Sequence, residues 1–383
     1  MKKILRFVIS LIVGAAIGFG LAHIGIWLVD GGGNESGGGV SGDIDVKVFA
    51  MIVVTMLFCT ILAYVVNTAL HEAGHLTGGF VSGYRFLSYR VFSLTLTRGD
   101  DGRLRFRRYS LAGTAGQCLM LPPDGDGASL PFVCYHAGGV AMNVVVIVVS
   151  VATLRLTHPG FIGLSLGLMM IFAGLFMAIL NGLPLKMGGF PNDGRNLLDL
   201  SRNPEMRRNV VNQMRVVGAF SQGKRLVEMP HEWLQRINAL DIKNMHQLAS
   251  QINYIGLLED EGRFEEARLE AEAVMANDKK LPQLIRMELG GELLFLELAT
   301  LRRSEVIERL WAPTLQKYVR RTSRYSAGKQ ATLFAVDLVV DKDRESALDR
   351  LQTVRQHLGS YVFPGEARVA ITMMENLLNN YTP

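Results

Sequence analysis

His71-Glu72-Ala73-Gly74-His75 sets two imidazoles four residues apart, with a carboxylate beside the first. Residues at i and i+4 share one face of a helix, so both rings can bind a single metal ion. The Glu between them can reach a metal-bound water and act on it as a base. That chemistry is metal-assisted hydrolysis. The same cluster at a helix end could instead form an interfacial cap with no metal. A catalytic zinc takes three protein ligands and keeps one position for water, so the histidine pair needs a partner, often a carboxylate.

The residues before the motif, Phe49 to Val66, carry no charge. A water-soluble metalloprotease keeps this kind of helix in a hydrated cleft; here it reads as a membrane span. Four segments reach the roughly 20 apolar residues that a hydrocarbon core requires. They run from about Phe7 to Val29, Val48 to Leu70, Pro131 to Leu154 and Phe161 to Leu185. Between Pro131 and Leu185 the only Lys, Arg, Asp or Glu is Arg155. After the fourth segment comes Leu180-Asn181-Gly182-Leu183-Pro184-Leu185-Lys186-Met187-Gly188-Gly189-Phe190-Pro191-Asn192-Asp193-Gly194-Arg195. Asp193, in this Gly/Pro-rich break, is either a turn-former, as most Asn-Asp-Gly tripeptides are, or a placed ligand.

Charge orients the spans. Lys2, Lys3 and Arg6 place the N-terminus in the cytoplasm. The apolar run behind them outlasts the usual 7–15 residues of a signal peptide and lacks a clear small-residue cleavage site, so a signal anchor is expected. The Gly-rich loop Gly31–Asp45 has acidic residues and no Lys or Arg, and reads as external. Arg85, Arg90, Arg98, Arg103, Arg105, Arg107 and Arg108 make the next segment cytoplasmic. The long basic C-terminal half then lies in the cytoplasm as well. The chain has 49% hydrophobic and 20% charged residues and a net charge of +5. That positive balance suits an anionic inner leaflet of the lipid bilayer. No aromatic–basic interleaving supports nucleic acid as a partner. Cys59, Cys118 and Cys134 show neither CxxC spacing nor a disulfide framework.

The motifs together resemble the site-2 protease family of intramembrane zinc metalloproteases. That family carries HExxH on one span and Asn-x-x-Pro followed by Asp-Gly on a later one. Here these stand as His71-Glu72-Ala73-Gly74-His75, Asn181-Gly182-Leu183-Pro184 and Asp193-Gly194. A third feature, Gly followed by Asn at the start of the intervening span, is matched by Gly138-Gly139-Val140-Ala141-Met142-Asn143. The resemblance, over about residues 46–200, implies that His71, His75 and Asp193 bind Zn2+ and that Glu72 activates water. It also implies substrate-binding roles for Asn181 and Asn143. The Asn181-to-Asp193 spacing exceeds the commonest family pattern, with Lys186-Met187-Gly188-Gly189 inserted, as in a Gram-positive bacterial branch. Asp199 is the alternative ligand. Asn181 could hydrogen-bond an extended substrate or merely cap the break in the helix.

Between the second and third spans, Arg85–Leu96, the turn Gly99–Gly102 and Arg103–Tyr109 read as a β-hairpin. Gly116–Pro123 reads as a further edge segment. An edge strand could bind an extended substrate by β-augmentation, or the hairpin could only shield the site. His136 could assist a transition state or be an interfacial histidine with no chemical role.

From about Met206 the pattern is helical. Glu261–Val274 resembles the second helix of a tetratricopeptide repeat, and Asp343–Leu351 is a fainter echo. The expected fold is a polytopic α-helical membrane protein of about four spans, with a small cytoplasmic β-hairpin insertion and a C-terminal all-α, tetratricopeptide-like array. The expected organisation is 1–45 for anchor and external loop, 46–200 for the metalloprotease core with its insertion at 81–130, and 201–383 for the cytoplasmic helical domain. The expected function is a zinc-dependent intramembrane endopeptidase acting on a membrane-anchored protein or peptide. A cytoplasmic partner could dock on the helical domain. The rival readings are a catalytically silent membrane scaffold and a prenyl-protein type membrane metalloprotease; the Asn-x-x-Pro and Asp-Gly pair disfavours the latter.

Overall fold

The computed structural model describes residues 46–99, 102–108, 114–276 and 281–381. The expected first span, Phe7–Val29, and the loop Gly31–Asp45 lie outside the described residues. Among those described, three helices are long and apolar enough to cross a membrane: α1 (Val46–Val81), α2 (Val133–Thr157) and α3 (Phe161–Gly182). α2 contains the run Val144–Val149, rich in β-branched residues that are mediocre helix formers in water. In hydrocarbon every backbone N–H and C=O must be satisfied within its own segment, and that requirement overrides the propensity. Only 17–22% of each helix's most apolar window is buried. Leu57, Phe58, Val148 and Ile162 keep 60–65% of their surface exposed, more apolar surface than a water-soluble fold leaves bare.

The chain divides into two compact units, of which the described parts are 46–71 with 140–180, and 72–139 with 181–381. In the first, Cys59, Ala63, Leu168 and Met169 form the packed centre. Asn67 is fully buried there, donating from Nδ2 to the carbonyls of Ala63 (3.0 Å) and Met170 (3.3 Å). Small residues and inward polar groups are the usual means of helix association in lipid.

In the second unit, β1 (Arg85–Val91), β2 (Leu94–Arg98), β3 (Leu104–Arg108) and β4 (Gly116–Leu121) form an antiparallel sheet in the order β3-β2-β1-β4. The expected single strand Arg85–Leu96 is in fact two. Val91 pairs with Leu94, and the chain reverses at Phe92–Ser93 with Phe92 at φ +54°. Two-residue hairpin turns favour Gly, Asn or Asp at positive φ, so a Phe there gives no turn signal. The turn at Gly99–Gly102 joins β2 to β3 as expected, with Gly102 N–H donating to the Gly99 carbonyl at 2.9 Å. β4 lies at the edge of the sheet.

The C-terminal half is a helical array. α4 (Asp193–Arg202) and α5 (Pro204–Ser221) lead through 3-10 turns into α6 (Met245–Asp260), α7 (Phe264–Met275), α8 (Gln283–Ala299), α9 (Ser304–Leu310), α10 (Pro313–Thr322), α11 (Ala327–Ala335), α12 (Arg344–Gln356) and α13 (Pro364–Asn380). Asn203, Asn244, Ser326 and Asp343 cap α5, α6, α11 and α12 by accepting backbone N–H bonds. The three residues Glu261–Arg263 leave α6 and α7 no option but an antiparallel hairpin. Leu289, Leu294, Leu296, Leu298, Phe334 and Met374 are fully buried in the common core. A second cluster ties the sheet to α4 and α5: Tyr84, Cys118, Met120, Phe132 and Tyr135 pack with Leu200, Val210 and Val211.

Candidate metal centre

α1 runs on to Val81, so the histidine motif lies inside a continuous helix and not at its end. His71, Glu72 and His75 are 5%, 8% and 7% exposed. One helical turn separates the two histidines, and each ring is held by its Nδ1. His71 Nδ1 lies 2.7 Å from Asn143 Oδ1 on α2. His75 Nδ1–H donates to the Tyr135 backbone carbonyl at 2.7 Å. A carbonyl can only accept, so Nδ1 carries a proton and Nε2 is the nitrogen turned toward Asp193, where an ion could bind. Such outer partners orient metal-binding histidines and raise their basicity.

Asp193 completes the group. His71, His75 and Asp193 each offer a ligand atom, and these atoms all lie within 4.8 Å of one another. His75 Nε2 and Asp193 Oδ2 are 3.3 Å apart. Donors bound at about 2.0–2.1 Å in a tetrahedron stand roughly 3.3–3.4 Å apart, so this pair has the edge length of a tetrahedral zinc site. Two imidazoles and a carboxylate are also a donor set that suits zinc. Asp199, the alternative ligand, pairs instead with Arg195 Nε at 2.8 Å.

Asp193 is placed by its neighbours. Asn192 caps α4, its Oδ1 accepting from the Arg195 N–H at 2.9 Å and the Leu185 N–H at 3.1 Å. Its Nδ2 donates to the Leu183 carbonyl at 2.6 Å. The chain between folds into the small hairpin β5 (Lys186–Met187) and β6 (Phe190–Pro191). Gly194 lets the first turn of α4 lie on the end of α3; a Cβ there would stand 2.7 Å from the Gly182 carbonyl carbon. The Asp-Gly pair therefore combines a candidate ligand with the one residue type that fits beside it.

Glu72 faces the sheet. A Cβ on Gly116, the first residue of β4, would stand 2.7 Å from Glu72 Cγ. Burial pushes Tyr89 and Cys118 up to about 12, and the Glu72 carboxylate adds to both. Cys118 therefore stays a thiol at neutral pH, which removes thiolate chemistry from this side of the site. Tyr135, besides holding His75, donates from its hydroxyl to the Cys118 carbonyl at 2.6 Å. Asn181 stands in the last turn of α3, one residue before Gly182. His136 follows Tyr135, with the two rings edge to face at 5.1 Å.

The sequence carries no sign of the parts played by Tyr135 and Asn192. One acts through a backbone carbonyl, which any residue has, and the other looks like an ordinary turn. Asn143, which the resemblance marks as a substrate-binding residue, meets His71 Nδ1 through its Oδ1. Family models, curated proteins and solved structures give no match to this chain.

Proposed function

We propose that this chain is a zinc-dependent intramembrane endopeptidase, similar to the site-2 protease family, that cuts a peptide bond in or near the transmembrane segment of a membrane-anchored protein. The observation that carries the reading is the His71–His75–Asp193 group, with its 3.3 Å edge, on an apolar helix of spanning length. His71, His75 and Asp193 would hold the ion. Zinc, when bound, supplies Lewis-acid polarisation of the scissile carbonyl and a water acidified to a pKa near 7.

The chain's own residues supply the rest. Glu72, next to His71, takes the proton of the attacking water and returns it to the leaving amine. Asn143 and the Tyr135 carbonyl keep the imidazoles in register. A peptide bond in a transmembrane helix is shielded by its own hydrogen bonds, so the substrate must be unwound before cleavage. Edge strand β4, with Gly116 against Glu72, offers a template for the extended segment. Asn181, where α3 breaks off, is suited to hydrogen-bond the same backbone.

The arginines of β1–β3 and the basic C-terminal half lie in the cytoplasm, where the helical array, tetratricopeptide-like in its α6–α7 hairpin, holds the substrate's tail or an adaptor. Labelling of a Glu308→Cys variant by an impermeant thiol reagent in intact cells would overturn this topology.

The decisive experiment is Glu72→Gln, assayed against co-expressed single-span reporters. The variant should retain zinc and lose cleavage. Cleavage at the unaltered rate would show the mechanism to be wrong, and a protein that only scaffolds partners would show no effect of the change on partner recruitment.

A further inference from the structure

The array encloses one ammonium among several carboxylates. Lys329, 2% exposed, places Nζ 2.8 Å from Glu288 Oε2 and donates to the Glu288 backbone carbonyl at 3.1 Å. Burial opposes the Lys329 charge, but Glu288, Glu292 and Glu366 more than offset it and raise its pKa. Were all three acids ionised, one ammonium against them would leave a formal charge of −2. Burial and then the neighbouring acids push Glu292 and Glu366 upward despite the lysine. The cluster is short of positive charge.

A cavity of about 320 Å³ opens onto it. Glu288 and Glu366 line it together with Phe190, Tyr325, Tyr361 and Phe363, and with apolar side chains such as Leu284 and Ile285. Tyr325 is 40% exposed, and Glu366 accepts a long hydrogen bond from Ser326 Oγ at 3.4 Å. The volume is at the small end for ligand sites, enough for one long side chain and too little for a nucleotide. Aromatic faces beside carboxylates select a cation. An anion would face two like charges, and an apolar group would bury carboxylates without a counter-charge.

Phe190 links this cavity to the metal centre. It lies on β6, three residues before Asp193, so their Cα atoms are at most about 11 Å apart. An extended peptide crosses that distance in three or four residues. Membrane-anchored proteins carry Lys and Arg beside the cytoplasmic ends of their spans.

We propose that the cavity between Glu288, Glu366, Tyr325 and Phe190 is a specificity subsite for a Lys or Arg side chain of the peptide substrate, a few residues from the bond that is cut. The word substrate rests on the proteolytic reading; the cation preference does not.

The test uses the full chain carrying Glu72→Gln in detergent micelles. Saturation-transfer NMR measures binding of the N-acetyl amides of lysine, arginine, glutamine and glutamate. The lysine and arginine probes should bind at least tenfold tighter than the other two. Glu366→Gln and, as a second variant with no charge change, Tyr325→Leu should each weaken them about tenfold while leaving zinc content unchanged. Equal binding of the glutamine probe to the unmutated cavity overturns the proposal, as does undiminished lysine binding in either folded variant. Cation binding in a protein that cuts nothing would remove the proteolytic reading and keep the site. Cleavage with no cation preference would remove the site alone.

Discussion

Leu57 on α1 and Leu294 on α8 are the same residue in helices of opposite construction. Leu57 keeps 60% of its surface exposed and Leu294 none. Polar residues run the other way. On α1, Asn67 and Thr68 are only 0% and 1% exposed, whereas α12 turns Arg344, Glu345 and Arg355 outward. In one region apolar atoms meet the surroundings and polar atoms meet each other; in the other most apolar side chains are buried and most charged ones exposed, the cluster around Lys329 apart. The difference teaches where a metal site is cheap to build. Asn67, His71 and His75 recur every fourth residue, a polar stripe already turned inward before any ion is considered. On α8 a matching stripe would have to replace core leucines such as Leu289 and Leu293, beside the few acids, Glu288, Glu292 and Glu297, that the helix already holds.

Four experiments would break or sharpen this contrast. The largest effect belongs to the stripe and its partner. Asp193→Ala should abolish stoichiometric zinc, while Asp199→Ala, which loses only an ion pair to Arg195, should keep it; metal analysis of the two purified proteins decides. Next come the leucines. Leu294→Ala should destabilise the array by about 2–5 kcal/mol, because it leaves a void where nothing can collapse. Leu57→Ala should cost under about 0.5 kcal/mol, since lipid fills its place. Equal losses in denaturant titrations would erase the distinction between the regions.

Asn143→Leu comes third. It removes the hydrogen-bond partner of His71 without touching a ligand, and should weaken zinc affinity by about 10–100-fold in a chelator competition. An unchanged affinity would mean that Asn143 only fills space. The smallest effect lies in the array. Burial, with neighbouring carboxylates, raises Glu292 to about 7 against the opposing pull of Lys329. A raised carboxylate keeps its proton in the folded state where the unfolded chain has released it. Its contribution is therefore fully present below pH 4.5 and lost as pH climbs to about 7. Glu292→Gln should shrink the fall in Tm between pH 5 and pH 8 by about 2–4 °C. A fall as steep as in the parent would place that titration elsewhere.

Much of this was legible in the sequence because it depends on periodicity. His71 and His75 must share a face once the segment is helical, and a run without charge is long enough to span or it is not. The sheet was partly legible: Gly99–Gly102 announces its turn, while Phe92 hides one, because positive φ is written in the sequence only when a residue suited to it is present. The resemblance already favoured Asp193 over Asp199 through the Gly that follows it, and the fold adds a physical reason: packing brings Asp193 to His75, while Asp199 pairs with Arg195. Least legible were the buried ion cluster around Lys329 and the Tyr135 carbonyl. Their members come from distant turns, and no spacing rule connects them.

The hairpin between Pro184 and Asp193 has one more consequence. Asn192 fastens both ends of the excursion, through the Leu183 carbonyl and the Leu185 N–H, so the chain leaves and returns at one point. Its length is thereby uncoupled from the position of the carboxylate. Residues added in pairs at Gly188–Gly189 should therefore leave Asp193 where it is, losing only the contact of Gly189 with Pro282. The number of residues separating the two motifs then records how far the arm reaches, and says nothing about the metal.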